Sequence, residues 1–361
     1  MSGEPPDMTR MACPSPLPHH ERIVVGHGGG GVLTRELIEK VFLSAFGNPI
    51  LAGLGDSAVL PAEWFSPARG AGERLAFSTD SFVVQPLVFP GGSIGDLAVN
   101  GTVNDLAMSG ARPIALSAAF ILEEGLDVGV LSRIVADMAR AARTAGVGIV
   151  TGDTKVVERG RGDGLSITTA GLGLVPADSR LGSRPPEAGD AILVSGTVGD
   201  HGMAVMSVRE GLAFEAPIQT DSAPLHGLVA ALLAAFPDVA LLRDPTRGGL
   251  AMTLGELVAG KGIGIEFDEA AVPVDPVVAS ACEILGLDPF QVANEGKLVA
   301  VVPAAGAEAA LAALRAHPLG GKAARIGRIV ADHPGLVVAR TPYGGTRIVP
   351  MPLGEQLPRI C

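Results

Sequence analysis

Four aspartates in this 361-residue sequence stand among glycine, small or hydroxyl-bearing residues and outside any amphipathic helical pattern. They are Asp56 in Gly-Leu-Gly-Asp-Ser-Ala, Asp80 in Ser-Thr-Asp-Ser-Phe, Asp105 in Val-Asn-Asp-Leu and Asp244 in Arg-Asp-Pro-Thr-Arg-Gly-Gly. Carboxylates on tight turns, with no lysine close by in the sequence, suit a magnesium–phosphate site, because hard cations take oxygen ligands and share them with substrate phosphates. Any one of the four alone fits a turn or a helix cap equally well. Gly28, Gly29, Gly30 and Gly31, preceded by Gly26 and His27, could wrap a phosphate with backbone N–H groups, since glycine reaches the conformations of an anion nest. The loop lacks the Lys-Ser/Thr end of a Walker loop and the Gly-x-Gly-x-x-Gly context of a dinucleotide fold, so a hinge or lid is an equal reading.

Further candidates are spread along the chain. In Gly152-Asp153-Thr154-Lys155, after an expected strand, Lys155 offers a point charge to a polyphosphate, or is an ordinary surface lysine. Asn294-Glu295-Gly296-Lys297 places a carboxylate where a loop enters a strand, a common position for a general base; taken alone it is also a turn. His201, in Gly199-Asp200-His201-Gly202, is either reactive or a capping or core histidine. Cys361 stands last, after Leu357-Pro358-Arg359-Ile360. At the end of a Gly/Pro-rich arm of about 18 residues, each reaching at most about 3.3–3.6 Å, its thiol could be loaded at one place and react at another. Arg359 favours the thiolate there and a terminal carboxylate opposes it. Cys282 lies in the apolar run Val277–Leu285 and reads as core packing, and Cys13 belongs to no metal or redox spacing.

The elements that must position these residues follow from periodicity. Ile23–Val25 reads as a strand running into the glycine loop, and apolar residues at helical spacing follow from Leu33 to Phe42. Strands are expected at Leu75–Ser78, Ile114–Phe120, Val147–Thr151 and Leu165–Leu174, with a helix over 127–145 that ends at Gly146. The Gly- and Pro-rich segment 181–190 reads as a linker before a second alternating series that opens with the strand Ala191–Ser195. The expected organisation is a disordered extension over 1–20, domains over 21–185 and 186–340, and from Thr341 a flexible arm too rich in Gly and Pro for a regular helix.

Composition removes several classes. A net charge of −11 without a Lys/Arg run disfavours nucleic acid and anionic membrane as partners. The longest apolar run, Leu228 to Phe236, has nine residues against the roughly 20 a spanning helix needs. Residues 1–20 hold five prolines and no apolar stretch of a secretory signal, so a cytoplasmic location is expected, with the cysteines kept as thiols.

Taken together, His27-Gly-Gly-Gly-Gly31, Phe89-Pro-Gly-Gly-Ser-Ile-Gly-Asp96, Asn100-Gly-Thr-Val-Asn-Asp-Leu106, Gly152-Asp-Thr-Lys-Val156, Arg243-Asp-Pro-Thr-Arg-Gly-Gly249, Asn294-Glu-Gly-Lys297 and Pro358-Arg-Ile-Cys361 resemble the hydrogenase maturation factors HypE. These are carbamoyl dehydratases of the superfamily that includes aminoimidazole ribonucleotide synthetase and selenophosphate synthetase. The resemblance runs from about His27 to Cys361. It implies a two-domain, PurM-like α/β fold, with N-terminal strands pairing across a homodimer into a barrel-like core, a C-terminal α/β sandwich, and ATP with Mg2+ in the cleft between domains.

It further implies that His27, Gly28, Gly29, Gly30, Asp56, Asp80, Asn104, Asp105, Asp153, Lys155 and Asp244 bind the nucleotide. Asp56, Asp80, Asp105 and Asp244 would ligate metal, and Cys361, Glu295, Lys155 and His201 would be catalytic, with Glu295 the base and His201 the next candidate for that role. A HypF-type carbamoyltransferase would load Cys361 with a carbamoyl group, ATP would drive its dehydration to thiocyanate, and a HypC–HypD iron-carrying complex would take the cyanide toward a nickel–iron hydrogenase. Two rivals remain at this stage: a selenophosphate or purine-type synthetase of the same fold, which needs no terminal cysteine, and a non-catalytic thiol carrier, which needs no nucleotide site.

Overall fold

The computed structural model describes residues 31–37, 39, 58–60, 72–212 and 218–352, together with 354, 357 and 359–361. Cys13, His27, Gly28, Gly29, Gly30, Asp56 and the strand expected at Ile23–Val25 lie outside these residues. In chain order the elements are α1 (Val32–Leu37), β1 (Ala58–Leu60), β2 (Arg74–Phe82), β3 (Val88–Phe89), β4 (Gly92–Ser93), α2 (Ile94–Met108), β5 (Arg112–Glu123), α3 (Val128–Ala145), β6 (Gly148–Val157) and β7 (Leu165–Val175). A second series follows: β8 (Ala191–Val194), α4 (Asp200–Arg209), α5 (His226–Ala235), β9 (Leu241–Arg243), α6 (Gly249–Val258), β10 (Gly264–Asp268), α7 (Pro276–Leu285), β11 (Val299–Val302), α8 (Ala307–Ala316), β12 (Ala324–Val330), β13 (Val337–Arg340) and β14 (Thr346–Ile348).

The first series builds a five-stranded sheet in the order β1-β2-β7-β5-β6, antiparallel except for the β5–β6 pair. Alternation sets its faces. Ala76, Ser78 and Phe82 on β2 are buried beneath α2, whereas Phe77, Thr79 and Ser81 face outward. Helix α2 shows no amphipathic stripe because every residue except Asp105 is buried; a helix buried on all sides belongs between two layers. Gly101 allows the close approach to β2, since a Cβ there would stand 2.8 Å from the Phe82 ring. Helix α3 starts on the Asp127 cap and stops at Gly146 in the left-handed conformation, as the sequence predicts.

The second series builds a seven-stranded sheet, β14-β13-β10-β12-β8-β11-β9. It is covered on both faces. One apolar cluster joins Ile192, Val194, Val299 and Val301 to Leu250, Leu254 and Leu257 of α6, and another joins Leu193, Ala300 and Val302 to helices α5 and α8. β8 and β11 therefore read as unbroken apolar runs. The two units share a third core, in which Leu97, Ile134 and Met138 pack in one cluster with Met203, Val278, Cys282 and Ile360. Cys282 is buried there, as expected, with its thiol pushed up to about 11 by burial first and Asp288 second.

The described residues of 341–361 depart from the free arm expected from their composition. β14 adds an antiparallel strand beside β13, and Ile360 and Cys361 are buried. Glycine and proline exclude a helix but not an edge strand or an extended segment that borrows its hydrogen bonds from a neighbour. Among the described residues, no helix is long and apolar enough to cross a membrane.

Candidate active site

The site forms where the face of the first sheet that lies under α2 meets the loops of the second unit. Asp80 lies inside β2 and Asp105 on α2, so neither sits on the turn expected for it. The reason is tertiary: Ser-Thr-Asp-Ser-Phe and Val-Asn-Asp-Leu are short polar insertions in otherwise apolar elements, and packing of β2 against α2 holds them within a strand and a helix. The Ser78 hydroxyl donates to Asp105 Oδ2 at 2.5 Å, tying the two elements together. Asn104, buried, donates from its amide to the carbonyls of Ala223 and Glu295, both at 3.1 Å, and accepts from the Leu225 N–H at 2.7 Å. Its side chain thus joins α2 to the Glu295 loop and keeps no donor for a nucleotide.

Glu295 occupies a loop fixed from three sides. Its N–H donates to Asp221 Oδ1 at 3.0 Å, and the other oxygen of Asp221 receives the Lys297 ammonium at 2.9 Å. Position 296 must be glycine, since a Cβ would fall 1.8 Å from the Asp221 carbonyl. Asn294 accepts from the Gly199 N–H at 2.8 Å and donates to the Pro245 carbonyl at 2.9 Å, which locks this loop to the start of α4 and to the Asp244 segment. The Glu295 side chain is 4 % exposed and its Oε1 has no hydrogen-bond partner. Burial, then the charges of Asp221, Asp244 and Asp80, raise its pKa well above the ordinary carboxylate range, while Arg247 opposes the shift.

Cys361 comes to this place from the other end of the chain. The Arg247 guanidinium donates toward Cys361 Sγ at 3.9 Å. Arg247 stays open to solvent in the cleft, and Cys361 first, with Asp80 and Glu295 after it, pushes its pKa further above the usual arginine value. The guanidinium of Arg247 therefore stands against the thiol and within electrostatic reach of the raised acid Glu295, with Asp80 and Asp244 in reach of that acid. Such a constellation can hold a group on sulfur, stabilise negative charge beside it and accept a proton from it.

His201, expected as the next candidate base, has both ring nitrogens engaged: Nδ1 lies 2.7 Å from the Thr220 hydroxyl and Nε2 lies 2.9 Å from the Ile360 carbonyl. Burial holds its pKa below the usual imidazole value. Asp153 and Lys155 lie elsewhere. They sit on edge strand β6, three strands from β2, and register puts them on the face turned away from α2. Lys155 is 75 % exposed, with Asp153 4.0 Å away. Within one chain the structure therefore gathers Cys361, Glu295, Asp80 and Asp244 with Asp105 nearby on α2, and leaves Asp153 and Lys155 outside. Sequence reasoning missed Arg247 and Asp221. Arg247 was legible as the second arginine of Arg-Asp-Pro-Thr-Arg-Gly-Gly; Asp221, in Thr-Asp-Ser, carries no local signal.

Comparison with known proteins places this geometry. The model of the AIR synthase related protein N-terminal domain matches residues 55–175, and that of the C-terminal domain matches residues 187–339. Fold and site thus define a two-unit AIR synthase related protein. The carbamoyl dehydratase HypE of Cupriavidus necator is 55% identical over 340 residues, covering 94% of this chain and 95% of its own. The crystal structure of hydrogenase maturation protein HypE in complex with ATP is 49% identical, with a TM-score of 0.77, over 94% of this chain and 100% of that one. The chain solved in the HypE–HypF complex is 47% identical, with a TM-score of 0.80, over 88% and 99%. The chain belongs to the HypE carbamoyl dehydratases, a family of enzymes within the AIR synthase related proteins.

Proposed function

We propose that this chain dehydrates an S-carbamoyl group carried on Cys361 to an S-cyano group at the expense of ATP. The observation that carries the reading is the burial of Cys361 beside Arg247, whose charge also reaches the buried, unpartnered carboxyl of Glu295. The relatives solved with ATP and with HypF make ATP the co-substrate of this reading and a HypF-type carbamoyltransferase its loading partner. The product cyanide then passes to a HypC–HypD type iron carrier, for a nickel–iron hydrogenase. A net charge of −11 and the need for ATP and a reduced thiol suit a cytoplasmic reaction.

The balance is one thiocarbamate and one ATP giving one thiocyanate, ADP and phosphate. ATP supplies the phosphoryl group that turns the carbonyl oxygen into a leaving phosphate. Everything else falls to this chain. Arg247 faces the sulfur and stabilises negative charge developing on the adjoining oxygen. Glu295 accepts the two nitrogen protons one at a time, the first as the oxygen is phosphorylated and the second as phosphate leaves, passing the first to water in between; its burial and acidic neighbours make it a stronger base than a surface carboxylate. The C–O bond breaks as the C–N triple bond forms.

Among the described residues, no three of His, Cys, Asp and Glu stand together to ligate one metal ion. Asp80 and Asp244, within electrostatic reach of Glu295 and its orphaned oxygen, fit magnesium held by one or two carboxylates, with phosphate and water completing the shell. Bound there, the ion would screen phosphate charge.

A second copy of the chain completes this reading. Among the described residues, the face of the first sheet opposite α2 exposes Phe77, Ile121 and Leu172, and β6 has no strand on its outer edge and is exposed along nearly its whole length. An uncovered apolar sheet face with an open edge is a surface for another sheet, and two copies would close into the barrel-like core. Asp153 and Lys155 would then lie at the seam between copies. The test is the intact mass of the full chain incubated with the carbamoyltransferase, carbamoyl phosphate and ATP. A carbamoyl adduct on Cys361 that loses the mass of one water is expected; a carbamoyl adduct that persists while ATP is consumed would defeat the reading.

A further inference from the structure

Helix α4 carries His201 in its first turn and Arg209 at its end, and both side chains reach the same stretch of main chain, residues 359–361. The Ile360 carbonyl, 2.9 Å from His201 Nε2, can only accept a hydrogen bond, and the Ser222 N–H, which meets Thr220 Oγ1 at 3.1 Å, can only donate. The chain between them therefore has one direction. The Ser222 N–H donates to the Thr220 hydroxyl, this donates to His201 Nδ1 at 2.7 Å, and Nε2–H donates to the Ile360 carbonyl. This fixes the neutral Nε2–H tautomer, in keeping with the burial of the ring and with Phe89, whose ring meets it edge-on at 5.4 Å.

Arg209 completes the grip. It donates to the Gln85 carbonyl from Nε at 3.0 Å and from Nη2 at 2.5 Å, and from Nη2 to the Arg359 carbonyl at 2.6 Å. From the other side the Gln85 and Val83 N–H groups donate to the carbonyls of Arg359 and Cys361, at 3.1 and 3.3 Å. These four contacts to the tail all fall on main-chain oxygens, and none involves the sulfur.

We propose that His201, oriented by Thr220, and Arg209 are positioning residues that hold the C-terminal segment by its peptide carbonyls, so that Cys361 Sγ lies against Arg247. Because the grip is blind to what the sulfur carries, it presents the free thiol, the loaded group and the product at the same place. The consequence for the reaction rests on the function proposed above. The placement itself does not, and is tested without ATP or a partner.

The full-length chain is treated with iodoacetamide, and alkylation of Cys361 and Cys282 is followed by mass spectrometry of their separate peptides. Arg209→Ala and His201→Ala are each expected to raise the Cys361 rate about tenfold, the equivalent of one lost buried hydrogen bond, with Cys282 unchanged. Thr220→Val should raise it less. His201→Gln, whose amide can still donate near the Nε2 position, should recover part of the protection, which loss of packing alone would not allow. Arg209 is only half-buried, so its variant decides the matter even if His201→Ala fails to fold. Unchanged Cys361 labelling in Arg209→Ala, or Cys361 and Cys282 rising together there, overturns the proposal.

Discussion

Two of the groups that join carboxylates to an arginine in this fold are finished differently. In the first, Asp96 of α2 and Asp137 of α3 face each other with Arg140, which donates to Asp96 at 2.8 Å and to Asp137 at 2.6 Å. The Ser93 hydroxyl donates to Asp137 at 2.8 Å, and the Ser93 N–H donates to Asp96 at 2.9 Å in a capping box. Burial raises the Asp96 pKa, and Arg140 pulls it back. In the second, Glu295 is more deeply buried, lies in reach of Asp221, Asp244 and Asp80, and keeps one oxygen without a partner while Arg247 turns to the sulfur of Cys361. A closed network of this kind holds two helices together. An open one keeps unspent charge and basicity, which stability alone does not favour and which chemistry uses.

Substitutions should separate the two groups, and the largest effect belongs to the open one. Glu295→Gln is expected to slow dehydration by about 10³-fold or more while the carbamoyl group still accumulates on Cys361. Mass spectrometry of the C-terminal peptide reads both, and cyanation at the normal rate would move the base elsewhere. Asp80→Asn, which removes charge from the cleft and no core volume, should lower ATP turnover about 100-fold with an unchanged melting temperature. Asp105→Asn should cost less, because Ser78 can still bond an amide oxygen.

The third effect is in pH. Glu295 acts as a base only when ionised, and its pKa is raised, so the single-turnover rate of dehydration should climb with pH above the ordinary carboxylate range, by up to about tenfold per unit. A flat profile between about pH 5 and 8 would remove Glu295 from the rate-limiting step. For stability the sign is reversed. A carboxyl with a folded pKa above its unfolded one stabilises the protein at low pH, and that contribution is lost as pH rises through the folded pKa. Glu295→Gln, fixed in the neutral form, should accordingly be no less stable than the parent at neutral pH, as thermal melts would show.

The smallest effect on activity belongs to the closed group. Arg140→Ala should leave dehydration unchanged at moderate temperature and cost about 2 kcal/mol of stability, less than a fully buried pair because the arginine is half open to water. A large loss of dehydration with little change in melting would break the contrast between the two groups.

Much was legible along the chain because the relevant forces are local. The helix from Asp127 to Gly146 was fixed by its cap, its left-handed stop and its apolar stripe, and β8 and β11 by unbroken apolar runs. The motifs around Asp80, Asp105, Asp244 and Glu295 were visible because polar residues interrupt apolar elements there, and Cys361 because its surroundings differ from those of the other cysteines. Element type was less legible: Asp80 and Asp105 looked like turn residues, and only packing against α2 and β2 made them part of a strand and a helix.

What the sequence by itself determined is the family, the alternation of elements and a list of candidate side chains that lacked Arg247 and Asp221, since these depend on residue type and near-neighbour spacing. Which of those side chains meet was decided by tertiary structure. Asp221 reaches Glu295 across 74 residues, Arg247 reaches Cys361 across 114 and His201 reaches the Ile360 carbonyl across 159. Lys155, as chemically suited as any of them, lies on the outer face of an edge strand. Contacts at such separations come from the docking of the two units on a shared core and from a C-terminal segment that finds its hydrogen bonds on a distant strand and helix. No local pattern encodes them, because their energy exists only once the whole chain has folded.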